Sequence, residues 1–135
     1  MKKEEGSRGM NSKKILIVDD VNFNIEFESK LIKNLMVGYK INVQIDEAHT
    51  VEEAMGKIAS EPEPYDAMII DMNLPDGSGV EIAKKAREKS ENTRLAALTI
   101  YPSEYEKERP YFDLFMKKPI MVESFKQNFI RLLQL

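Results

Sequence analysis

Short apolar runs alternate along this chain with longer stretches of helical period, and several of the runs stop on a charged or hydroxyl side chain. The pattern predicts a first strand over Lys14 to Val18, a near-continuous apolar run of the kind covered on both faces. A helix from about Asn22 to Met36 follows, with Phe27, Leu31 and Leu35 on its inner face and Gly38 as the C-cap. Ile41, Val43 and Ile45 alternate with polar residues, so Ile41 to Ile45 is expected to be an edge strand with one wet face. Thr50 is the expected N-cap of a second helix, with Glu53 in the capping-box position and Pro62 and Pro64 past its end.

The third strand is expected over Ala67 to Ile70, ending in Asp71, and Leu74 to Gly79 is turn-rich. The third helix runs from about Gly79 to Lys89 and buries Val80, Ile82, Ala83 and Ala86. Strand four covers Arg94 to Thr99 and strand five roughly Tyr111 to Met116. Between them Pro102 and Pro110 leave Ser103 to Arg109 for a short polar fourth helix capped by Ser103. The fifth helix, about Val122 to Leu133, puts Val122, Phe125, Phe129 and Leu132/Leu133 on one face.

Alternating strands and helices define an α/β fold, a single doubly wound (βα)5 domain. Right-handed crossovers with a reversal after strand two give a five-stranded parallel sheet of order 2-1-3-4-5. Residues 1–12 read as a flexible polar leader and 13–135 as the domain. Asp19, Asp20, Asp71, Thr99 and Lys118 then all lie just past strand carboxyl ends, on one sheet edge. Ligands bind such sheets at the switch point, here between strands one and three.

Composition narrows the chemistry of that edge. The chain has no cysteine and one histidine, which excludes thiolate nucleophiles and His-rich metal centres and leaves a hard, oxygen-liking ion. A net charge of −3 with no basic block speaks against direct nucleic-acid binding, and no apolar run has the length of a membrane span. The cytoplasm is the default location. Three carboxylates held close repel one another, and Mg²⁺ relieves this while keeping part of its water shell for a phosphate oxygen. Lys118 would neutralise a second phosphoryl oxygen and Thr99 would donate a hydrogen bond to another. Asp71, at the end of the central strand, is the best nucleophile for forming an acyl phosphate.

At this point Ile15-Leu16-Ile17-Val18-Asp19-Asp20, Ile69 to Gly79, Ala97-Leu98-Thr99 and Lys117-Lys118-Pro119 together resemble the response-regulator receiver domain of two-component signalling. The resemblance covers about Lys13 to Leu135 and rests on the order and spacing of the motifs. It implies Asp71 as phosphoacceptor, Mg²⁺ held by Asp19, Asp20, Asp71 and the Asn73 carbonyl, and Thr99 and Lys118 on the phosphoryl group. It further implies Phe115 as a switch aromatic working with Thr99, and a cis bond between Lys118 and Pro119. The implied partners are a histidine kinase or phosphotransfer protein and a downstream protein target. The implied role is signalling and not enzymatic turnover.

Two features depart from the family pattern. Ile100 and Tyr101, both bulky, follow Thr99 where a small residue is usual, and are expected to restrict access to the phosphoryl pocket. The compressed unit between Pro102 and Pro110 alters the face that normally reports phosphorylation. Phe115 is equally compatible with permanent core, and His49 is expected in the loop before helix two with no phosphotransfer role. Two other classes compete with the receiver: a phosphate-independent interaction module of the same fold, and an aspartyl-phosphate phosphatase. Against the phosphatase, Asn73 stands where a second acid is needed.

Overall fold

The structure is a computed structural model that describes residues 11–135, so most of the expected leader lies outside the described residues. Five parallel strands, β1 (Ser12–Val18), β2 (Asn42–Ala48), β3 (Ala67–Asp71), β4 (Arg94–Thr99) and β5 (Leu114–Lys117), form one sheet of order β2-β1-β3-β4-β5. This is the expected topology. The register pairs Val18 with Ile70, Ile70 with Ala97 and Thr99 with Lys117, so the carboxyl ends of four strands finish together.

Period-two alternation sends the strand side chains into two separate cores. Ile15, Ile17, Ile69 and Leu98 meet helices α1 (Asn22–Gly38) and α4 (Val122–Leu133) through Ile25, Ile32, Phe125 and Phe129. Leu16, Met68, Ile70 and Ala97 meet α2 (Val51–Ser60) and α3 (Gly79–Lys89) through Ala54, Ile58, Ile82 and Ala86. The β3 run AMIID is buried throughout, whereas β2 alternates exposed and half-buried positions, as an edge strand should.

The structure corrects several local expectations. Strand β1 starts at Ser12, two residues earlier than expected, and β2 runs Asn42–Ala48 in place of Ile41 to Ile45. Helix α1 includes Gly38, and the left-handed residue that ends it is Lys40, at φ 57°. Ile41 N–H donates to the Met36 carbonyl and Lys40 N–H to that of Val37, so backbone bonding closes the helix without a glycine. The inner face of α1 is Ile25, Leu31, Ile32 and Met36, with Phe27 and Leu35 only partly covered.

At α2 the Thr50 side chain accepts from Glu53 N–H at 3.0 Å, but the Glu53 carboxylate takes the N–H of His49 at 2.8 Å. The remaining α2 donors go to Asp76, whose carboxylate accepts from Val51 N–H at 2.7 Å and Glu52 N–H at 3.0 Å. These two bonds, with the dipole of the helix start, hold the Asp76 carboxyl below its usual range. The expected fourth helix is a 3-10 segment, Pro102–Tyr111, with Pro102 and not Ser103 at its start and a break from helical geometry at Tyr105. Strand β5 begins correspondingly later, at Leu114.

Helix α3 starts at Gly79 behind a capping box in which Ser78 Oγ accepts from Val80 N–H and Glu81 accepts from Ser78 N–H. A Cβ on Gly79 would sit 2.7 Å from Ile70 Cγ2 and 2.9 Å from the Asp71 carbonyl oxygen. Because one of those atoms is backbone at the end of the central strand, the clash cannot be relieved by a rotamer change. Gly79→Ala is therefore expected to destabilise the fold by about 1–3 kcal/mol in urea unfolding. An unchanged midpoint would show that α3 can step away from β3 without cost.

Candidate functional site

The carboxyl ends of β1, β3, β4 and β5 bring the predicted residues to one cleft of about 310 Å³, lined by Asp20, Asp71, Asn73, Thr99 and Lys118. Asp19, Asp20 and Asp71 each offer a carboxylate oxygen, and these oxygens lie within 4.8 Å of one another. Asp19 is fully buried, Asp71 nearly so, and Asp20 is exposed. The ammonium of Lys118 stands 3.3 Å from Asp19 Oδ2 and 3.1 Å from Asp71 Oδ2.

Asp19, Asp71 and Lys118 are each fixed by the local chain. Asp19 Oδ1 accepts from Val21 N–H at 2.9 Å, and Asn24 Nδ2, from the first turn of α1, lies 3.3 Å from both Asp19 oxygens. Asp71 Oδ1 accepts from Asn73 N–H at 3.0 Å, in the tight turn that follows β3. Lys118 is set by its backbone N–H, which donates to the Thr99 carbonyl at 2.9 Å. The Lys118–Pro119 bond is cis, as the resemblance implied. Thr99 Oγ1 accepts from Tyr101 N–H at 3.2 Å.

The charges follow from this packing. Burial pushes the Asp71 carboxyl up, and the Asn73 N–H and the Lys118 ammonium pull it back. Burial alone would lower Lys118, but Asp71 and Asp19 together hold its ammonium above the ordinary lysine range. The three carboxylates outnumber the one ammonium, so the donor set fits a hard divalent cation with oxygen ligands.

Ile100 and Tyr101 both line the cleft, yet 54% and 59% of their surfaces are exposed. They stand at its rim. Phe115 is half-buried against the α2/α3 core, in edge-on contact with Phe112 at 5.4 Å between ring centroids. His49 lies in the loop before α2, its ring nitrogens 2.6 Å from Asn22 Oδ1 and 3.0 Å from Glu53 Oε1, where it ties the starts of α1 and α2 together.

Four residues escaped the sequence reading. Asn24 is one: a polar residue one turn into α1 has no apolar period to mark it. Glu104 and Tyr105 line the same cleft and come from the 3-10 segment, whose course no periodicity discloses. Glu28 is fully buried on the inner face of α1, and both of its carboxylate oxygens lack a hydrogen-bond partner. It was legible in principle, as a charged residue interrupting the apolar positions Ile25 and Ile32.

Burial pushes the Glu28 carboxyl well above the usual carboxylate range, and the charges of Asp19 and Asp71 add to the rise against the opposing effect of Lys118. The native state therefore keeps a proton that the unfolded chain has already released. Stability is present below the ordinary carboxylate range and falls as pH rises through the folded-state value. Glu28→Leu is expected to raise stability at neutral pH by about 1–3 kcal/mol and to remove most of that decline, measured by urea unfolding between pH 5 and 8. A variant with the wild-type pH slope would mean that Glu28 titrates normally.

The sequence profile of the response regulator receiver domain matches residues 15–127. The response regulator protein PilR of Pseudomonas aeruginosa is 32% identical over 94 residues, which is 70% of this chain and 19% of PilR. The hybrid signal transduction histidine kinase L of Dictyostelium discoideum is 30% identical over 88 residues, which is 64% of this chain and 5% of the kinase. The chain thus spans only a small part of these relatives. Among solved structures, a two-component response regulator from Clostridium difficile superposes with a TM-score of 0.75 at 26% identity, covering 90% of this chain and 96% of that one. The response regulator TrrA of Thermotoga maritima, solved in complex with Mg(2+)-BeF, gives a TM-score of 0.70 at 28% identity, covering 89% and 98%.

Proposed function

The chain belongs to the response regulator receiver domain family, and we propose that it accepts a phosphoryl group from a phosphohistidine donor onto Asp71 and signals through a changed protein-interaction surface. The observation that carries this reading is the Lys118 ammonium, shared between the buried carboxylates of Asp19 and Asp71 at the mouth of an open cleft. Held by Asp19, Asp20, Asp71 and the Asn73 carbonyl, Mg²⁺ would offset the carboxylates and the oxygens of the incoming phosphoryl group.

The chain's own groups do the rest. A carboxylate oxygen of Asp71 attacks phosphorus in line, the bond from phosphorus to the donor nitrogen breaks, and the leaving imidazole keeps the electron pair. Lys118 exchanges its contact with Asp71 for one to a phosphoryl oxygen, a point charge on a flexible stem suited to the change. Thr99 turns its hydroxyl from the Tyr101 N–H toward the phosphoryl group, and Phe115 follows into the space beside it. Partners are a histidine kinase or phosphotransfer protein and a downstream protein. Among the described residues no helix is long and apolar enough to cross a membrane, in keeping with work in the cytoplasm. The domain is read as a signalling acceptor and not an enzyme that turns over substrate.

Incubation with a small acyl-phosphate donor and Mg²⁺ should add one phosphoryl group by intact mass, and Asp71→Asn or a chelator should abolish the gain. Phosphorylation that persists in Asp71→Asn at another carboxylate would move the acceptor. A folded wild-type chain that gains no mass even from a cognate phosphohistidine protein would favour the phosphate-independent module.

A further inference from the structure

The 3-10 segment Pro102–Tyr111 contributes no fully buried residue; Tyr105 and Tyr111 pack partly covered against the α2/α3 core, and polar contacts add to this at its two ends. At the near end, Tyr101 N–H donates to Thr99 Oγ1 at 3.2 Å. At the far end, the guanidinium of Arg109 lies over the Phe115 ring, 5.0 Å from its centroid. Glu106 accepts from Arg109 Nε at 2.7 Å. That ion pair is largely exposed and adds little stability by itself, but it restricts how the guanidinium turns. Phe115 therefore has Phe112 edge-on on one side and a cation over its face on the other.

The sheet register shows where the ring would go if released. Phe115 on β5 pairs with Ala97 on β4, and Thr99 is two residues further along the same strand, hence on the same face. The β4 position beside Phe115 is thus a small side chain, and no bulky β4 residue stands between the ring and Thr99 on that face. The group that the 3-10 segment sets over the ring is Arg109.

We propose that Arg109 is a positioning residue: its cation over the Phe115 ring holds the aromatic away from Thr99 and so sets the fraction of chains ready to accept a phosphoryl group. The inference rests on the reading of Asp71 as acceptor and of Thr99 with Phe115 as the switch. A contact of this kind is weak enough to be overcome by phosphorylation and strong enough to bias the resting population. Arginine suits the role because its planar guanidinium lies flat on a ring and stays charged at any physiological pH.

The test uses the full chain with Mg²⁺ and a small acyl-phosphate donor below saturation, reading the rate of mass gain. Arg109→Gln, which keeps much of the stem and removes the charge, should speed phosphorylation about two- to fivefold. Arg109→Lys, which keeps a cation but loses the planar stack, should fall between the wild-type rate and that of Arg109→Gln. In a Phe115→Leu background Arg109→Gln should have no further effect, because the ring that the cation acts on is gone. Ring resonances of Phe115, followed by NMR without donor, should move in Arg109→Gln toward their positions in the phosphorylated chain. Equal rates for Gln and Arg, or the same acceleration with and without the ring, would overturn the proposal. Unmoved Phe115 resonances would overturn it even if no donor phosphorylates the wild-type chain, an outcome that would separately count against the acceptor reading.

Discussion

One ammonium group, on Lys118, joins the ends of three strands. It stands between Asp19 at the end of β1 and Asp71 at the end of β3, and its residue, just past β5, is held by a backbone bond to Thr99 on β4. Without it, two buried carboxylates and a third exposed one would face each other across the switch point of the sheet. The neighbouring elements are arranged around that pair. Helix α1 supplies Asn24 to Asp19, and α3 can begin against the Asp71 carbonyl only because Gly79 has no side chain. Even with Lys118 in place the edge keeps an excess of negative charge, which a divalent cation would offset.

Polar interactions remote from the cleft keep this edge in register. At the other end of the sheet Asp113 accepts from Leu95 N–H at 2.7 Å and pairs with Arg87 and Arg94, which fixes the entrance of β5 relative to β4. The loop after Asp71 is tied to the second layer by Asp76, which takes two N–H groups at the start of α2. The loop after Asp71 is therefore joined to α2 as well as to α3. Among the described residues Glu28 is the exception, a buried acid without a hydrogen-bond partner, whose cost the rest of the core offsets.

The fold was legible because its strongest signals are periodic. The run Ala67 to Ile70, stopped by Asp71, read as a strand, and the period of Val122 to Leu133 gave the boundaries of the last helix as observed. Asp19, Asp20, Asp71, Thr99 and Lys118 were legible because each ends or follows an apolar run, and parallel topology sends all such ends to one edge. What was not legible lacks a period. The left-handed turn at Lys40 is held by backbone bonding, and a lysine gives no hint of it. The course of Pro102–Tyr111 is set by two prolines and by contacts with Thr99 and Phe115, both of which lie in other elements. Glu53 reached His49 and not Thr50, because a capping box fixes residue types but not which neighbouring N–H is nearer.

The central claim is that excess carboxylate charge around Lys118 makes this edge a divalent-cation site. The most direct measurement is the thermal unfolding midpoint across a Mg²⁺ titration, in the wild-type chain and in Asp20→Ala. The account predicts a saturable rise with Mg²⁺ in the wild type. In the variant the rise should be lost and the metal-free protein should be more stable than wild type, because one repelling carboxylate has been removed. A wild-type midpoint indifferent to Mg²⁺, together with a variant no more stable than its parent, would contradict it.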